Sequence, residues 1–144
     1  MKIASAAMVV CSVMLASTSF AFAQDSMHPM PEMPKACQTG KAPAMPGMME
    51  SMQSAMSGMD QAHQDFMKGM MATHEPMMEG MMAEDPDIAF ACGMIPHHQA
   101  AINMAKTELQ HGDNDWAKQK AQQIIDAQEK EITELQAFIE EQTQ

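Results

Sequence analysis

From Met45 the chain repeats every eleven residues, and that period restricts its fold more than any other feature. The units are MPGMMESMQSA (45–55), MSGMDQAHQDF (56–66), MKGMMATHEPM (67–77) and MEGMMAEDPDI (78–88). Position one is Met45, Met56, Met67 and Met78, position three is always glycine, and position four is Met48, Met59, Met70 and Met81. Position eight runs Met52, His63, His74, Asp85. Eleven residues make close to three turns of α-helix, so equivalent positions stack nearly in line, whereas a half-buried strand needs a period of two. Spacing of i, i+4, i+8 sets Met48, Met52 and Met56, then Met59, His63 and Met67, then Met70, His74 and Met78, on a single face.

Glycine costs a helix about 0.5–1 kcal/mol relative to alanine. Its recurrence at one phase therefore points to close approach by a backbone or a ligand. Pro76 predicts the end of this helix near His74 or Glu75, because the residue before a proline is pushed out of helical conformation. The fourth unit then reads as a short turn.

Methionine is the outlier in composition: 21 residues of 144. Beyond residue 23 there are 18, against three phenylalanines, one tryptophan and no tyrosine. Methionine is ordinarily a minor gap-filler that specifies packing poorly. A methionine stripe at helical spacing is ordinarily a core seam, but adjacent pairs at 48/49, 70/71, 77/78 and 81/82 widen this face beyond a seam. Histidine at the centre of two successive units is also hard to explain as packing. Thioether and imidazole are the donors favoured by soft Cu(I), and thioethers need no deprotonation to bind.

The first residues read as a secretory leader. Lys2 precedes an apolar run from Ile3 to Leu15, and Ala21-Phe22-Ala23 predicts cleavage after Ala23. The apolar run is too short to span a bilayer, so no membrane insertion is expected. Residues 24–44 are rich in Pro and Met and read as a flexible, extended tail in which Met27, Met30 and Met33 share an edge. Past the leader, seven lysines face nineteen acids and there is no arginine, giving a net charge of −12. Such a chain repels nucleic acid and attracts cations. Cys37 and Cys92 have three options in an oxidising compartment: one disulfide, pairing with another chain, or a metal-bound thiolate.

Residues 77–144 read as a helical hairpin forming one domain with the 45–76 helix. Asp85-Pro86 opens a helix through Ile88, Phe90, Met94, Ile95, Ile102 and Leu109 that stops at Gly112, with a kink expected at Pro96. Asp113-Asn114-Asp115 caps a last helix with an apolar stripe at Ala117, Ala121, Ile124, Ile125, Ile132, Leu135, Phe138 and Ile139. His97 and His98, flanked by Met94 and Met104 and beside the carbonyl that Pro96 frees, suggest a second metal pocket.

The run MIPHHQAAINMA, with IIDAQEKEI in the last helix, resembles the signature of a bacterial domain of unknown function (number three hundred and five). The resemblance covers about residues 77–140 and implies a ferritin-like helical fold among exported copper-binding proteins linked to copper resistance. By this resemblance Met94, His97, His98 and Met104 match the family's histidine–methionine motif. Gln128 and Glu131 match its A-Q-x-x-E-I element, with hydrogen bonds to a motif histidine or Gln99 implied. Cys92-Gly93 stands where the family usually has Asp-Met, and Leu135 and Phe138 stand where Met and Trp are common.

The expectation is an all-α, ferritin-like antiparallel bundle of about three long helices with a disordered N-terminal tail. Its expected function is periplasmic copper binding, Cu(I) first and Cu(II) or Ag(I) next, for sequestration, transfer or resistance. A copper efflux or acceptor protein is the natural partner. The competing reading is an envelope chaperone or interaction module with a flexible Met-rich surface. Only Glu108-Leu109-Gln110-His111 resembles a di-iron element, and no nucleophile–base set or phosphate loop points to an enzyme. Three helices do not close a four-helix bundle alone, which leaves a homodimer or a folded-back first helix.

Overall fold

The computed structural model describes residues 29–42 and 47–144. The leader at 1–23, the tail residues through His28 (Met27 among them) and the repeat's first residue, Met45, lie outside the described residues.

The hairpin forms where local chemistry sets its ends. The Asp85 carboxylate accepts from the backbone N–H of Asp87 and Ile88, and Pro86 leads α3, Pro86–His111. The Gly112 N–H donates to the Glu108 carbonyl at 2.8 Å and closes that helix. Asn114 then caps α4, Asp115–Gln142, by accepting from the Ala117 N–H. Ala121, Ile125, Ile132 and Ile139 of α4 pack on Ile88, Ala91, Cys92, Ile95, Ile102 and Ala105 of α3 to form the apolar core. Each fully buried isoleucine contributes about 1.5–3 kcal/mol. Phe90, placed by its spacing on the apolar face, is instead 64% exposed.

The repeat does not form one helix. It divides into α1, Met48–Met56, and α2, Gln61–Gly80, so the described residues form four helices and not three. The Asp60 side chain accepts from the His63 N–H and starts α2 afresh, a cap that competes with helix continuation through Gly58. The expected stop at Pro76 is also corrected, because α2 continues through it to Gly80. Tertiary contacts hold that last turn: Thr39 Oγ1 donates to the Glu79 carbonyl, the Gly40 N–H donates to Glu79 Oε1, and Gly80 lies on Cys92.

α3 is central, packed between α2 and α4, which barely touch each other. The two interfaces differ in kind. α2 adds nothing to the apolar core; its buried residues are Asp65, Gly69, Thr73 and Gly80. A Cβ on Gly69 would lie 2.9 Å from Asn103 Cβ, and one on Gly80 would lie 2.7 Å from the Cys92 carbonyl carbon and oxygen. Those two glycines bring α2 against α3. The Cys92 carbonyl is also the one that Pro96, four residues on, leaves without an intrahelical donor. Gly80 covers it, so it is not the open metal ligand expected there.

Cys37 and Cys92 form a disulfide with Cα atoms 5.3 Å apart, which settles their pairing and removes the metal-thiolate option. Residues 29–42, expected within a flexible tail, lie along the bundle. Met33 and Ala36 pack on its core, Lys35–Cys37 forms a short 3-10 turn, and Gln136 Nε2 donates to the Glu32 carbonyl.

Gly80→Ala is expected to lower the free energy of unfolding by about 1–3 kcal/mol, since the opposing atoms are backbone. Gly58 has open space around it and a negative φ, so Gly58→Ala is expected to raise stability by about 0.4–1 kcal/mol. Denaturant unfolding of the two variants checks the pair.

Candidate metal centre

With Gly69, Thr73 and Gly80 turned to α3, helical spacing puts Met67, Met71, His74 and Met78 on the opposite face of α2 and His63 and Met70 on its flank. α1 folds back over part of that face. Met48 and Met52 of α1, with Met67, Met70, Met71 and His74 of α2, line a cavity of about 90 Å³. Five thioethers and one imidazole thus surround a space a few times the volume of a water molecule, about 30 Å³. No carboxylate lines this space, so the cluster offers sulfur and nitrogen donors. That is the donor set of a soft monovalent cation.

The structure therefore joins residues from two repeat units, the first and the third, but not in the straight lines the period alone gives. Met56 is buried at the end of α1, and Met78 is half-buried beyond the cavity. Met59 falls in the connector, off the α2 face, because the repeat breaks there. His63 lies nearer the N-terminus than the cavity, its Nδ1 2.8 and 2.9 Å from the two Asp60 oxygens. Hydrogen bonds from the His63 backbone and ring hold the Asp60 carboxyl below its usual pKa. The same bond orients the ring and leaves Nε2 directed elsewhere, the arrangement that metal-binding histidines commonly use. Met71 lines the cavity although the period did not single it out; its place in the 70/71 pair was the only signal.

The adjacent histidines part company. His98 is buried, and its Nε2 lies 2.5 Å from Glu131 Oε2, which matches the bond that the resemblance implies. Its Nδ1 is enclosed without a partner. His98 and Met94 line a groove of about 420 Å³ between α3 and α4 with Phe90, Glu131, Glu134, Leu135 and Phe138. His97 is exposed, as is Met104, one side of α3 away from that groove. Neighbouring helical residues point about 100° apart, so Met94 and His98 share a pocket and His97 and Met104 share an open face. Gln128 is half-buried and makes no hydrogen bond to His98 or Gln99.

A buried polar seam lies on the α3 side of α2. Asn103 Nδ2 donates to the Gly69 carbonyl at 3.1 Å, and Gln99 Nε2 donates to Asn103 Oδ1. His111 Nε2 lies 3.0 Å from Asp65 Oδ2, so the one di-iron-like histidine is engaged in joining α3 to α2. Burial alone would raise the Asp65 pKa, but hydrogen bonds from His111, Gln61 and Lys68 outweigh it and hold the carboxyl below the ordinary 3.8. Burial holds the Lys106 ammonium below its usual value, and Glu129 offsets part of that.

These features define a class: an all-helical bundle with an isoleucine core and a separate methionine–histidine face. The chain belongs to the family described as a domain of unknown function, DUF305, whose model matches residues 18–139. A search of curated proteins found no match.

The Asp65 contacts set an acid dependence. A lowered folded-state pKa means their stabilisation is present above pH 3.8 and is lost as pH falls through the folded value. Asp65→Asn is expected to cost about 1–3 kcal/mol near pH 6, with the difference shrinking as pH falls below 3.8. Unfolding followed from pH 6 to about 2 checks it.

Proposed function

We propose that this is an exported, non-enzymatic copper-binding protein that takes up Cu(I), and Ag(I) as its soft analogue, in the periplasm. The cavity between α1 and α2 carries the proposal, because six side chains with soft or borderline donors converge there and no carboxylate does. The methionines of α2 lie outside the isoleucine core. The groove holding Met94 and His98 is a second site. Met94 and His98 line it beside Glu131 and Glu134, and a borderline donor set of this kind also admits Cu(II). His97 and Met104 stand on solvent, where an ion passes most readily to a copper efflux or acceptor protein. Sequestration, transfer and resistance all draw on this one chemistry.

A chaperone surface has less support. It needs methionines spread outward for a client, whereas Met48 and Met52 face Met67, Met70 and Met71 across a shared space.

The chain from residue 24 onward, titrated with Cu(I) against a chromophoric competitor under reducing conditions, is expected to withdraw several equivalents at micromolar copper. Met→Leu replacement across 45–82 is expected to remove most of that capacity while the α3–α4 hairpin stays folded. Replacement of His98 by Ala removes only the second site, while replacement of His97 leaves it intact. Failure to compete, or capacity unchanged without the sulfurs, overturns the proposal.

A further inference from the structure

We propose that α1 is a clamp closed by the metal, so that the ion docks this helix onto α2. The inference rests on the soft-metal reading above and adds how the site opens.

α1 has nine residues, and helices shorter than about 12 residues are marginal in water by themselves. Its N-cap is Gly47, at φ 84°, with no side-chain bond to the first turn. Among the described residues no side-chain hydrogen bond or ion pair joins Met48–Met56 to α2, α3 or α4. Met56, at the joint end, is the one buried side chain of Met48–Met56 among the described residues; Met48 and Met52 face α2 only across the cavity. An interface with a hole at its centre lacks the contacts that close packing supplies.

α2 does not need α1. Asp60 caps α2 directly, and its packing on α3 runs through the opposite face. The joint between them, Ser57-Gly58-Met59-Asp60, is exposed, and Gly58 has no heavy atom near the position of a Cβ. A short, weakly held helix on a free joint therefore covers a site to which it contributes two of the six donors. An ion bound by sulfurs from both helices binds the closed form more tightly than the open one, and by that difference it shifts the population to closed.

Amide hydrogen exchange over residues 48–56, measured with and without one equivalent of Ag(I) on the chain from residue 24 onward, tests this. Ag(I) is expected to slow exchange in that segment by about tenfold or more, with α3 and α4 unchanged. Binding is measured separately by competition. Bound Ag(I) with unchanged exchange over 48–56 overturns the clamp and leaves the metal reading standing; no bound Ag(I) overturns both. The double variant Met48→Leu, Met52→Leu keeps the apolar volume and removes two sulfurs. It is expected to match the parent chain without metal and to lose the Ag(I)-induced slowing. Slowing that persists in that variant overturns the clamp.

Discussion

α2 can lie against α3 only because two glycines remove the side chains that would keep the backbones apart. Gly69 and Gly80 are eleven residues apart, close to three helical turns, so both face the same neighbour. With that face fixed, Met67, Met71, His74 and Met78 lie on the far side and His63 and Met70 on its flank. The glycine phase and the methionine phase of the repeat are thus one constraint seen from two sides. What joins α2 to α3 is shape and a few buried hydrogen bonds, each worth about 1 kcal/mol net, with little apolar area. α3 and α4 are joined the opposite way, by a stripe of isoleucines.

That division explains how a chain can be so rich in methionine and still have an ordered core. The apolar packing is concentrated in α3 and α4, where side chains with few rotamers specify a single arrangement. Flexible thioethers are excluded from it, apart from Met33 at its margin, and line the outer helix, where a side chain that adapts its shape does not blur the core. The polar seam of Asn103, Gln99, Thr107, Asp65 and His111 separates the two regions.

Much of the hairpin was legible in the sequence. Asp85-Pro86, Gly112 and Asn114 act over three or four residues, and such local chemistry needs no knowledge of the fold. The Glu131–His98 bond was implied by the resemblance and is present. Harder to read were features decided at long range or by close competition. The repeat is periodic enough for one helix, yet the Asp60 cap wins locally and divides it. Pro76 should end α2, yet the strap bonds to Glu79 and the Gly80–Cys92 contact carry the helix past it. His97 and His98 look like one site on paper, but the turn of the helix sends one inward and the other to water. The Cys37–Cys92 pairing spans 55 residues, a separation over which sequence carries no geometry.

The same disulfide makes residues 37–92 a covalent ring, and both methionine helices lie inside it. A short helix tethered at both ends does not diffuse away when it leaves its partner. Links of this length keep its effective local concentration around the millimolar range, whatever the concentration of the protein. Re-docking of α1 is therefore a first-order event. Even a chain cut at the exposed joint between α1 and α2 would stay in one piece, with the helix still within reach of the face it covers.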